Sequence, residues 1–227
     1  MSSTLLLKNA LVIATMDDEQ REIANGSVFI RGNRVEAVGP ASELPSTADK
    51  VIDMTGHVLI PGLINTHHHM FQSLTRALPA AQDAELFDWL TALFPVWQNI
   101  TPAMQRAATR TALAELMLSG CTTAADHAYL YVNGTRLDDS VQAAQEMGMR
   151  FHAVRGAMSL GQSKGGLPPD ALVEQDEDAI LKEMQRVVEE LHDATPDAMI
   201  KVALGPCSPF TVTTDLMREG AALARSC

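Results

Sequence analysis

From Thr4 to Ile60 the apolar residues fall in short runs: Leu5-Leu6-Leu7, Ala10-Leu11-Val12-Ile13, Ser27-Val28-Phe29-Ile30, Arg34-Val35-Glu36-Ala37-Val38 and Val51-Ile52-Asp53-Met54. Each is short and rich in residues that favour strands. Asn25-Gly26 and Gly32-Asn33 punctuate them, and Arg31-Gly32-Asn33 has the length and the glycine of a tight hairpin between Ile30 and Arg34. The pattern predicts a small antiparallel β unit over residues 1–57.

After His57 the texture changes. Apolar runs at Val58 to Thr66, Cys121 to His127, Phe151 to Gly156 and Ile200 to Pro206 alternate with longer segments of helical period. Pro102 to Ser119 places Met104, Ala107, Ala108, Ala112, Leu113, Leu116 and Met117 at helical spacing. Thr101 is a good cap, Pro102 suits the first turn, and Gly120 marks the end. Asp138 to Met147, Glu177 to Leu191 and Thr213 onward repeat the theme. Strand then helix, four times over, predicts parallel β/α units across residues 58–227. Two looser connections, Pro79 to Glu85 and Gly161 to Asp170, follow strand ends, which in a β/α barrel is the active-site face.

Composition narrows the function classes. Of 227 residues 46% are hydrophobic, enough for a real core, and 17 Lys+Arg against 28 Asp+Glu give a net charge of −11. That acidity argues against a protein that neutralises many phosphates, so no nucleic-acid partner is expected. No run approaches the roughly 18 apolar residues of a membrane span, and Met1 to Leu7 lacks the features of a signal peptide. The chain reads as cytoplasmic, with no membrane partner. Cys121, Cys207 and Cys227 are odd in number and widely spaced, which suits neither a disulfide framework nor a structural zinc site. A metal must therefore be sought among histidines and carboxylates.

The most informative stretch is Asn65-Thr66-His67-His68-His69-Met70-Phe71-Gln72, directly after an apolar strand. Side chains alternate along a strand, so His67 and His69 point one way and His68 the other. Two imidazoles on one side make a clamp suited to Zn²⁺ or Fe²⁺, and a catalytic site needs further ligands and an open position. The competing reading is a polar strand end without metal. Asp126-His127 ends the second strand of the series, where one member can touch a ligand or brace a metal histidine, or the two can be a satisfied structural pair. Arg155 suits the balancing of a buried carboxylate better than ligand binding.

The leader ending in Asp53-Met54-Thr55-Gly56-His57-Val58-Leu59-Ile60-Pro61-Gly62, followed by the His67-His68-His69 triplet, resembles the amidohydrolase superfamily in its cytosine deaminase and triazine hydrolase branch. Within that branch His67 to Arg76, Asp83 to Leu90, Ala124 to His127 and Pro206 to Phe210 are most similar to the 8-oxoguanine deaminases. The resemblance implies a (β/α)8 barrel of metal-dependent hydrolase type carrying a small β-sandwich. It implies His67 and His69 as metal ligands and hydrolysis by metal-activated water. It sets Gln72 against a purine-like ring and Trp89 in the pocket wall. The residues alone leave Gln72 open as a solvent-facing glutamine at a helix start, and Trp89 as a core aromatic. His127 and Cys207 are expected to line the pocket. Members with two metals bridge them through a lysine at the end of the fourth strand; here Lys201 begins that strand, which implies a mononuclear zinc site.

The activity implied is removal of the exocyclic amino group of 8-oxoguanine, giving urate and ammonia. A hydroxytriazine alkylaminohydrolase is the alternative, and a fragment without activity is the alternative of another class. The family draws its remaining catalytic residues from later strands, so none is assignable in this segment. Subtracting the leader, 227 − 66 = 161 residues remain for a barrel that typically needs about 250, room for about four β/α units. The family resemblance also suggests homo-oligomers acting on a small heterocyclic substrate.

Overall fold

The computed structural model describes residues 3–227, which separate into two compact units, residues 3–62 and residues 63–227. The first unit is one five-stranded sheet. Strand β1 (Thr4–Ala14) pairs antiparallel with β2 (Glu22–Arg31), and β2 with β3 (Arg34–Pro40). On its other edge β1 carries β4 (Lys50–Asp53) and β5 (Val58–Leu59), both parallel to it. The unit is therefore mixed rather than purely antiparallel. β1 serves two partners because it bulges between Leu7 and Ala10, where Asn9 takes a left-handed φ of 62° and its amide bonds Asp53. The turn after β2 is also tighter than expected: Arg31 pairs with Arg34, leaving only Gly32 and Asn33 in the loop.

The apolar run from Val58 to Thr66 divides at Pro61-Gly62. Val58 and Leu59 pair with Val12 and Ile13, whereas Leu63–Asn65 forms β6 of the second unit. The boundary expected at His57 thus falls at Gly62, because β5 completes the first sheet.

The second unit is a parallel sheet in the order β6-β7-β8-β9, with β7 (Cys121–Ala128), β8 (Arg150–Arg155) and β9 (Ile200–Leu204). Helices α2 (Pro102–Leu118), α3 (Leu137–Met147), α4 (Glu177–Leu191) and α5 (Thr214–Ser226) follow or separate the strands as the sequence predicts. Thr101 caps α2 by accepting from the Met104 N–H, and Gly120 leaves it with φ 88°. An earlier helix, α1 (Leu86–Trp97), tolerates Pro95 near its end. Among the described residues no helix is long and apolar enough to cross a membrane.

One face of the sheet is covered by helices. Ala124, Phe151, Ala153, Ile200 and Val202 pack there against Leu113, Leu137, Val141, Ala144 and Val187. The alternation of β7 follows from this: Ala124, Asp126 and Ala128 are buried on the helical side, while Thr123, Ala125 and His127 face the other way. A second cluster, built from Phe71, Leu93, Phe94, Trp97, Tyr129, Leu130 and Met158, ties α1 to the strand ends. It forms the floor of the site.

Candidate functional site

Three hydrogen bonds join the histidine triplet to the end of β7. The His127 N–H donates to the His68 carbonyl at 2.8 Å, extending the β6–β7 pairing past the strand. His69 Nδ1 lies 2.8 Å from the His127 carbonyl, and Met70 N–H donates to Asp126 Oδ1 at 2.8 Å. A carbonyl can only accept, so Nδ1 of His69 carries the proton and Nε2 keeps its lone pair. Burial pushes the His69 imidazole below its usual range, which favours that neutral form.

The rings of His67 and His69 stand edge to face with centroids 5.0 Å apart, and His127 lies 5.4 Å beyond His69. His127 is lowered by burial as well, and its Nε2 donates to the Gly205 carbonyl at 2.7 Å, leaving Nδ1 as an acceptor. To reach it the ring passes over Gly156, where an added Cβ would stand 2.8 Å from His127 Nε2.

Gln72 sits in a 3-10 turn over Met70–Thr75, and its Nε2 donates to the Tyr129 hydroxyl at 3.0 Å. Tyr129 in turn meets His69, Phe71 and His127 at 5.1, 5.3 and 5.5 Å between ring centroids. Trp89 stacks edge to face on the fully buried Trp97 at 5.3 Å, and Trp97 anchors its indole N–H on Thr75 Oγ1. Trp89 thus packs on the core at Trp97 and also borders the cavity described next.

A cavity of about 340 Å³ brings these residues together: His67, His69, Gln72, Trp89, His127 and Cys207 all line it, with Tyr129, Leu86, Leu90, Phe94, Met158 and Phe210. A neighbouring hollow of about 480 Å³ shares His67, His69, Gln72 and Trp89 and adds His68 and Arg76. The six residues expected to form the metal clamp and pocket thus line one cavity. Tyr129, like Thr211, is a polar lining residue that sequence reasoning passes over. Its signal is weak: it stands two places after His127, where the strand alternation keeps the same face.

Other candidates resolve differently. Asp126 turns away from His127 to the helical side and is fully buried. Burial, against a weaker pull from the Met70 N–H and the Ser140 hydroxyl, raises its carboxyl to about 7, and its Oδ2 has no hydrogen-bond partner among the described residues. Arg155 is 1% exposed; it pairs with Glu174 at 2.7 Å, lies 3.8 Å over the Tyr131 ring and donates to the Gly156 carbonyl. It balances a carboxylate, as its sequence context suggests. Burial pushes the Cys207 thiol up, which disfavours a thiolate nucleophile. Lys201 donates to the carbonyls of Asp193 and Thr195 at the start of β9, so it lies at the end of that strand opposite Gly205.

The imidazoles of His67 and His69 suit a borderline divalent ion. Among the described residues no group of three or more His, Cys, Asp or Glu side chains is placed to hold a metal. The pair therefore fits part of a coordination shell.

The sequence profile of the amidohydrolase family matches residues 58–227. The chain belongs to the amidohydrolase family. Among curated members, the 8-oxoguanine deaminase of Pseudomonas aeruginosa is 43% identical over 220 residues, covering 96% of this chain and 48% of that protein. The hydroxydechloroatrazine ethylaminohydrolase of Pseudomonas sp. strain ADP is 35% identical, over 89% of this chain and 45% of that protein. The zinc complex of an atrazine chlorohydrolase from Arthrobacter aurescens TC1 superposes with a TM-score of 0.90 at 29% identity, over 98% of this chain and 51% of that one. This amidohydrolase chain spans about half the length of the relatives it matches.

Proposed function

We propose that the protein is a metal-dependent aminohydrolase that removes the exocyclic amino group of a purine-like heterocycle, with 8-oxoguanine and water giving urate and ammonia. Residues 63–227 supply the first half of its barrel, and the unit that ends at Gly62 part of a β-sandwich. The observation that carries the reading is the single cavity in which two imidazoles meet Gln72, Tyr129 and His127 against apolar walls. The 43% identity to an 8-oxoguanine deaminase supports the choice of ring.

His67 and His69 would hold the ion, zinc by analogy with the atrazine chlorohydrolase complex. When bound, such an ion supplies Lewis acidity and an acidified water. The chain's own groups do the rest of the positioning. The His127 carbonyl fixes the tautomer of His69 so that Nε2 remains a donor atom for the ion. Trp89, Leu90, Phe94 and Met158 offer flat apolar surface to a planar ring and exclude water from it. Gln72 and the free Nδ1 of His127 offer hydrogen bonds to its polar edges.

A second reading is favoured by the ethylaminohydrolase relative: release of an alkylamine from a hydroxytriazine. The test compares both reactions in the full-length protein reconstituted with zinc. Ammonia from 8-oxoguanine is the expected result; amine release from the hydroxytriazine without it transfers the assignment to the second reading. Turnover of neither by zinc-replete protein sinks both. In parallel, His67→Ala and His69→Ala should lose stoichiometric zinc by mass spectrometry, and His68→Ala should keep it.

A further inference from the structure

We propose that Tyr129 sets specificity at this site by acting with Gln72 as a reversible donor and acceptor pair that reads a neighbouring N–H and C=O on a flat heterocycle. The inference rests on the heterocyclic-substrate reading above.

The geometry is that of a fixed reader. The Tyr129 ring is 6% exposed and held by edge-on contacts with His69 and Phe71 and a tilted one with His127. Its hydroxyl has one hydrogen bond among the described residues, accepted from Gln72 Nε2 at 3.0 Å. A phenol has one proton and two lone pairs, and a primary amide has two protons and an acceptor oxygen. In the observed arrangement the phenol proton and the Gln72 Oε1 are therefore both unused, and both residues line the cavity. Together they offer one donor and one acceptor side by side.

Turning the amide over reverses the pair without moving either residue. Tyr129 O–H then donates to Oε1, and the pair presents an amide N–H and a phenol lone pair instead. Either polarity complements a lactam edge, in which an N–H adjoins a carbonyl. Of the other lining groups, Leu86, Leu90, Phe94 and Met158 are apolar, the Ser208 and Thr211 hydroxyls bond one another at 2.9 Å, and His127 offers an acceptor but no donor. A buried polar pair built for such an edge rejects analogues that lack it, because its own groups are left unpaired.

The test uses full-length, zinc-loaded protein and two probes without an amino group to lose: hypoxanthine, which has the lactam edge, and purine, which lacks it. Binding is read by titration calorimetry. The wild type should prefer hypoxanthine by about tenfold or more, the factor expected for one well-made hydrogen bond. Tyr129→Phe keeps the ring contacts and should reduce that preference to within about twofold, with zinc content and purine affinity unchanged. Gln72→Glu, which leaves only acceptors, should erase the preference too. A preference that survives Tyr129→Phe overturns the inference, and one that falls in Tyr129→Phe but survives Gln72→Glu overturns the reversible pair. A wild type that binds neither probe overturns the substrate reading and this inference with it; one that binds both with a preference indifferent to Tyr129 overturns this inference alone.

Discussion

Replacing Asp126 by Asn isolates the cost of a buried carboxyl beside the histidine triplet. Asp126 is fully buried, and its carboxyl is raised from 3.8 to about 7 by burial. Between those values the native state holds a proton that the unfolded chain has released. Stability therefore falls as pH rises, by about 1.4 kcal/mol per pH unit and about 4 kcal/mol over the whole interval, then levels above the native value. Below the ordinary carboxyl value the penalty is absent. Asp126→Asn removes the titration but keeps an oxygen that can accept from the Met70 N–H. Its stability relative to the wild type should thus climb steadily from pH 4 to pH 7 and stay level beyond. Urea unfolding of the metal-free chain at a series of pH values measures this, with tryptophan emission as the probe. Both tryptophans, Trp89 and Trp97, lie in the unit that contains Asp126. All other titrating groups cancel in the difference. A difference that stays constant from pH 4 to pH 8 would mean that the native carboxyl ionises normally, and would refute the reasoning.

Two further outcomes follow from the same region. Glu174→Ala should destabilise the second unit by about 3 kcal/mol, since it strands the buried Arg155 guanidinium. The double replacement Arg155→Met with Glu174→Met should recover most of that loss, and a double-mutant cycle in urea checks it. Gly156→Ala places a Cβ 2.7 Å from the Ala128 carbonyl oxygen and 2.8 Å from His127 Nε2. It should cost about 1–3 kcal/mol in thermal unfolding and shift the His127 imidazole signals in an NMR spectrum, with the other histidines little changed.

The parallel half of the fold is legible in the chain because its two periods differ so plainly. Cys121 to His127, Phe151 to Gly156 and Ile200 to Pro206 are short and apolar, and the helices between them carry clean stripes and caps. α1 is harder to read, since Leu86, Phe87, Trp89, Leu90, Leu93 and Phe94 blur the helical period and Pro95 interrupts it. The break at Pro61-Gly62 is hidden for another reason: a continuous apolar run says nothing about which sheet each half will join. At the site, His67, His69, Gln72 and His127 stand out by residue type and place. What the chain does not display is contact across distance. The tautomer of His127 depends on a carbonyl 78 residues away, and the importance of Tyr129 emerges only once Gln72 is seen to bond it.

That long contact has an architectural meaning. In the order β6-β7-β8-β9, the bond from His127 to Gly205 joins the end of β7 to the residue that follows β9, over the glycine that follows β8. The ladder bonds between neighbouring strands settle the sheet's twist one step at a time. A tie spanning two steps does something else: it sets a chord across the arc. The breadth of the hollow at this end of the sheet is then gauged by the length of an imidazole, and Gly156 is bare so that the chord can pass. Any change to that ring resizes the opening before it alters the polarity within.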